Sequence, residues 1–151
     1  MMPDLHLPPF QPKLRQGKKG AEIFDVTRKK YIRLTQEEWV RQHVIHLLTD
    51  HLGYPVGVIV AEAELRYHAL KKRFDLLAYD LTGKPRLIVE CKAPTLPLTQ
   101  SVFDQIAVYN TAIKVDYLLI TNGLVHYICQ VDHQDGSFRF LEHIPAFHQL
   151  G

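Results

Sequence analysis

The chain has 151 residues, 46% of them hydrophobic, and a formal net charge of +2; that is the length of one domain able to bury a sizeable core, and too little charge to mark a nucleic-acid binder by itself. No apolar run approaches the roughly 18 residues of a membrane span, and a start with Asp4, His6 and prolines is no signal peptide, so no membrane partner and a cytoplasmic location are expected. Cys91 and Cys129 are the two cysteines and neither has a C-x-x-C partner, which excludes a disulfide framework and makes zinc improbable.

Residues 1–22, with Pro3, Pro8, Pro9, Pro12, Gly17 and Gly20, read as an extended basic arm, and residues 23–151 as a single domain. Charge is uneven: residues 1–34 hold eight Lys or Arg against three acids, which leaves the rest of the chain net acidic. Lys13, Arg15, Lys18, Lys19, Arg28, Lys29, Lys30 and Arg33 could track a phosphate backbone, or simply form a solvated terminus. Ile23 to Val26 and Tyr31 to Leu34 form a small hairpin in this reading.

Thr35 opens a helix by a capping-box pattern with Glu38, and Val40, Val44, Leu47 and Leu48 give its apolar stripe to about His51. Val56 to Leu65 reads as a strand, Arg66 to Arg73 as a basic connection, and residues 74–80 and 86–92 as antiparallel strands about the turn Thr82-Gly83-Lys84-Pro85. A second helix spans about Thr99 to Ile113. Strands follow at Val115 to Thr121, Val125 to Val131 and Phe138 to Leu141. The order αβββαβ, with an extra edge hairpin, predicts an α+β domain with a mixed central sheet flanked by helices.

The two central strands each put charge inside a run that otherwise reads as buried, where a charge costs several kcal/mol unless it is paired or metal-bound. The hairpin brings Asp75 towards Glu90, and Glu90 and Lys92 share one strand face, roughly 7 Å apart at the backbone. Two carboxylates and a lysine are the groups that hold Mg²⁺ against a phosphodiester and handle a proton on water. On the first helix, Glu37 projects into the arc of Val40, Val44 and Leu48, which makes it the metal-site candidate, while Glu38 serves the cap. Gln105 and Tyr109 lie one helical turn apart and suit a phosphate or a base edge.

The arrangement Asp75, spacer, Glu90-x-Lys92 resembles the PD-(D/E)xK nuclease superfamily, with Phe74 at the position of its name-giving proline. The following Gln105-x-x-x-Tyr109 helix, the upstream Leu34 to Gln42 and the downstream Leu119-Ile120-Thr121-Asn122-Gly123 resemble the N-terminal nuclease domain of type I restriction R subunits. The resemblance covers roughly residues 28 to 131. It implies a restriction-endonuclease-like core and a Mg²⁺-dependent DNA endonuclease with Mn²⁺ as substitute. Asp75, Glu90 and Lys92 would be catalytic, and Glu37, Asp75, Glu90 and the carbonyl of Cys91 would hold the metal. Gln105, Tyr109, Lys71, Lys72 and Arg73 would meet DNA. No G-x-x-x-x-G-K-[ST] motif occurs, so a separate translocase or specificity subunit is the implied partner, and a homo-oligomer is compatible with the reading.

Each residue also has a plain structural reading: Asp75 paired with Arg73 or Lys71, Glu90 bridged to Lys92, Tyr109 anchoring the sheet. Taken together those readings describe a non-catalytic nucleic-acid-binding or assembly module on the same fold, and DNA is not distinguished from RNA.

Overall fold

The computed structural model describes residues 2–150, with the side chains of Tyr67, Tyr109 and 111–113 outside that description. Among the described residues, nine strands form one three-stranded and one six-stranded sheet, joined by two α-helices and short 3₁₀ and π turns. The small sheet is an antiparallel meander of β1 (Leu14–Gly17), β2 (Gly20–Asp25) and β3 (Lys30–Arg33). The large sheet has the order β4 (Ile59–Tyr67), β5 (Leu70–Tyr79), β6 (Pro85–Cys91), β7 (Tyr117–Thr121), β8 (His126–Val131), β9 (Phe138–Leu141). It is mixed because helix α2 (Gln100–Ile113) carries the chain from β6 to a parallel β7, while every other pair is antiparallel. With helix α1 (Gln36–His46) before β4, the expected αβββαβ order is present, and β8 and β9 extend its far edge.

The two faces of the sheet build two cores. On the α1 side lie Val40, Val44, Ile45 and Leu48 with Leu76, Leu87, Val89, Cys91 and Leu119; on the α2 side lie Ile106 with Phe74, Leu77, Ile88, Leu118, Ile120 and Cys129. The strict alternation along β6 and β7 is the pleat expressed as packing. In β4 and β5 the alternation breaks. Ala61 and Leu76 face the α1 core, yet Ala63 and Phe74, two residues away and still in register, face the other. The break falls at Glu62, whose backbone is left-handed at φ 52°, opposite Asp75. The hairpin therefore rolls over at these two residues, and its distal half packs towards α2.

Several expectations are corrected. Residues 1–22 contribute β1 instead of an irregular arm, and the segment before it is pinned down: Trp39 Nε1 donates to Pro3 O at 2.8 Å and His6 N to Gly123 O at 2.7 Å. Gly123, at φ 87°, takes the left-handed backbone that favours glycine, and a Cβ there would also crowd the Leu5 methyls. Val56–Val58 is a 3₁₀ turn, with the strand beginning only at Ile59. The basic connection of residues 66–73 is no loop. Arg66 pairs with Lys71 and Tyr67 with Leu70 across a tight hairpin tip. The first helix loses its α-geometry at Leu47–His51, a π turn closed by Leu52 N on Leu47 O. No helix among the described residues is long and apolar enough to cross a membrane.

Candidate active site

The site lies where β5 and β6 part. Their ladder runs Ala78↔Leu87, Leu77↔Ile88 and Leu76↔Val89, then stops. The next rung is made by a side chain: Cys91 N donates to Asp75 Oδ2 at 2.7 Å, while Asp75 N donates to Glu90 Oε1 at 3.4 Å. The roll at Glu62 and Asp75 frees the strand to make this substitution, which satisfies a buried N–H that would otherwise be orphaned. Asp75 and Glu90 thus stand together, as the hairpin reading expects. The N–H of Cys91 meets Asp75, while its side chain packs in the α1 core, on the face opposite Glu90.

Burial, and then the negative charge of Asp75, push the Glu90 carboxyl up to about 8, with the Lys72 ammonium opposing the rise. Lys72 is thereby placed near Glu90, with its Nζ 5.9 Å from the Phe74 ring. Glu37 is half-exposed and also raised, by partial burial and by Asp75, with Arg41 and Lys92 holding it down. That mutual influence gathers Glu37, Asp75 and Lys92 into one neighbourhood. Lys92 follows β6 directly, its N–H donated to Thr121 O at 2.9 Å. No Glu90–Lys92 bridge and no Asp75 pairing with Arg73 or Lys71 occurs among the described residues; Lys71 bonds Glu64 instead, at 3.5 Å.

Arg41 is the residue that sequence reasoning missed. Its side chain is 7% exposed and faces four carboxylates: Asp75 Oδ1 at 3.5 Å, Glu38 Oε2 and Glu62 Oε1 at 3.6 Å, Glu37 Oε1 at 3.9 Å. These are long contacts, and Nε and Nη1 make no hydrogen bond. Glu62 was missed as well, since nothing in Val56 to Leu65 marks a residue whose role depends on a left-handed backbone. Glu38 does not close a capping box. Thr35 Oγ1 accepts from Glu38 N at 3.0 Å, but the Glu38 carboxylate turns to Arg28, at 3.0 Å, and to Gln42. Arg28 also donates to the buried Asp25 at 2.6 Å, so it is spent inside the protein and leaves the set of phosphate-tracking cations.

Gln105 is exposed on α2, and no contact among the described residues joins it to Asp75 or Glu90. Tyr109 lies in the same helix, but its side chain is outside the described residues. Arg73 sits opposite Glu64 in the distal hairpin. Among the described residues no three His, Cys, Asp or Glu groups converge as a ready cage for a metal. Two adjacent hard-oxygen carboxylates with one ionisation suppressed nonetheless fit Mg²⁺, which keeps most of its water and binds through one or two carboxylates.

A family model described as type I restriction enzyme R protein N terminus matches residues 36–145. Among solved structures, the chain is similar to a fragment of a protein assigned as the HsdR subunit of a type I restriction enzyme from Vibrio vulnificus YJ016. Identity is 21% and the TM-score 0.53, over 78% of this chain and 24% of that one, so the chain spans about a quarter of the length of that solved fragment. The likeness is one of fold, a restriction-endonuclease-like core. No curated protein matches.

Proposed function

The chain belongs to the family of type I restriction enzyme R protein N-termini, and from that premise we propose that it is a Mg²⁺-dependent endonuclease domain hydrolysing DNA phosphodiester bonds. The observation that carries the reading is the Asp75–Glu90 pair at the parting of β5 and β6, with Lys92 one residue beyond the end of β6 and close enough to Glu37 to act on its charge. Asp75 and Glu90 would hold the metal, with Glu37 reaching it from α1. A bound Mg²⁺ supplies positive charge to a phosphodiester's oxygens and acidifies water. Lys92 Nζ would orient the attacking water and stabilise charge building on the phosphorus oxygens. Arg41 would hold Asp75 and Glu37 in place from below, and the near-complete burial of Glu90 keeps bulk water from competing for the pair. Membership of this family also suggests work beside a separate translocase or specificity subunit.

The test is a calorimetric titration of Mg²⁺ and Mn²⁺ into the wild type and Glu90→Ala, with plasmid nicking on the same samples. Metal binding and nicking should both vanish in the variant. Asp75→Asn, which keeps an acceptor for the Cys91 N–H, and Lys92→Ala should lose nicking while remaining folded. A second reading, a non-catalytic nucleic-acid-binding module, draws on the engagement of Asp75 by Arg41 and the Cys91 N–H. Salt-sensitive DNA binding unchanged by chelator, with no metal uptake by the wild type, would favour it.

A further inference from the structure

The small sheet supplies none of the carboxylates Glu37, Asp75 and Glu90, and it precedes the 36–145 span on which family membership rests. Its inner face is apolar and acidic, with Ile23 and Asp25 wholly buried. Its outer face has a different composition. Arg15, Glu22 and Arg33 stand in one line across the three strands, and Phe24 pairs with Tyr31 in the next, with Lys13 alongside through the bond of Phe24 N to Lys13 O.

The two aromatic rings support the cations. The Arg15 guanidinium lies 3.9 Å from the Tyr31 ring centre, Lys13 Nζ lies 5.5 Å from that of Phe24, and the rings meet edge to face at 5.4 Å. Such stacking holds a charged head over a surface without neutralising it. Lys18 and Lys19 occupy the β1–β2 tip and Lys29 and Lys30 the opposite turn, all exposed. A shallow hollow of about 560 Å³ lies between Arg15, Lys18, Lys19 and Arg33.

The charge balance over residues 13–33 is one-sided. Arg28 and Asp25 cancel each other internally, which leaves seven cations against Glu22 alone, itself bonded to Arg15 at 2.7 Å. The distal β4–β5 hairpin, the other basic segment, offers less, since both Arg66 and Lys71 are engaged by Glu64. The sheet is also fixed in place: Arg28 reaches Glu38 on α1 at 3.0 Å and Glu62 on β4 at 3.6 Å. A surface so charged, and tied directly to the residues around Asp75, suits a polyanion that continues into the site.

We propose that the outer face of the three-stranded sheet, through Lys13, Arg15, Lys18, Lys19 and Arg33, grips the phosphate backbone of the DNA presented to the carboxylate site. The proposal rests on the DNA-cleaving reading for the identity of its ligand, but not on catalysis. Each backbone contact releases counterions, so the slope of log K against log salt counts the cations in use.

The experiment measures fluorescence anisotropy of a labelled DNA duplex with the full chain in EDTA over a series of KCl concentrations. Wild type is compared with Lys13→Ala/Lys18→Ala/Lys19→Ala/Arg33→Ala and with Lys84→Ala/Arg139→Ala as a charge-loss control elsewhere. Because the substituted side chains are exposed, matching melting curves will report intact folding. The four-site variant should bind at least tenfold more weakly and lose about 3.6 from the salt slope, whereas the control should change less than twofold. Equal slopes in wild type and the four-site variant overturn the proposal, as does a wild type that binds polyglutamate but no DNA. Plasmid nicking on the same proteins separates the two readings. Nicking with face-independent binding sinks the surface alone, and face-dependent binding without nicking at any metal concentration sinks the nuclease alone.

Discussion

At the scale of single residues, Glu90 makes the clearest commitment. With its carboxyl raised from an ordinary 4.5 to about 8, the folded chain keeps a proton that the unfolded chain releases between those values. Stability should therefore be full below pH 4.5 and fall as pH rises through 8, by an amount on the order of a few kcal/mol. Glu90→Gln should flatten that slope and raise the melting temperature at pH 8 but not at pH 4, in thermal melts run with EDTA; a slope unchanged by the substitution would refute the cause. Mg²⁺, if held by the pair, should raise the wild-type melting temperature more at pH 8 than at pH 5. The pair itself was legible, because a carboxylate within an apolar strand run is costly unless a partner or a metal meets it. Arg41 was not, because an arginine four residues after Glu37 reads as an ordinary helix-surface pair until the sheet is laid beneath it. Removing it as Arg41→Met leaves Asp75 and Glu38 without their shared cation. Chemical denaturation should show a loss of about 3–5 kcal/mol.

Elements show where local rules hold and where they give way. Thr35 caps α1 as its spacing predicts, and Asn110 ends α2 by bonding both the N–H and the carbonyl of Val115, at 2.7 and 2.9 Å. The second device was not legible, since an asparagine four residues before a lysine is common in any helix. The hairpin of β4 and β5 was legible as strands but not as a roll, because the face swap at Glu62 depends on a backbone conformation that sequence periodicity cannot express. That conformation costs a non-glycine residue about 1–2 kcal/mol. Glu62→Gly and Glu62→Ala both remove the carboxylate that faces Arg28 and Arg41, yet only alanine keeps the strain. The glycine variant should be the more stable by about 1 kcal/mol in urea unfolding, and equal midpoints would show that the turn relaxes without help.

For the whole molecule, the six-stranded sheet and its helices were foreseeable from alternation and helical stripes, whereas the way the small sheet joins them was not. The joint is the set Asp25, Arg28, Glu38 and Gln42, assembled from β2, the turn after it and α1, and invisible to any local pattern. Arg28→Met should loosen it, and amide exchange should rise in β2 and β3 while β6 and β7 stay protected. The two cysteines sit in different cores, Cys91 under α1 and Cys129 under α2, and burial holds both thiols well above their usual ionisation, Cys129 at about 11. Neither can react with an alkylating reagent until its own layer opens. The chain thus carries two built-in clocks of breathing, one for each side of its sheet, and mass spectrometry of a timed iodoacetamide reaction would read which layer yields first.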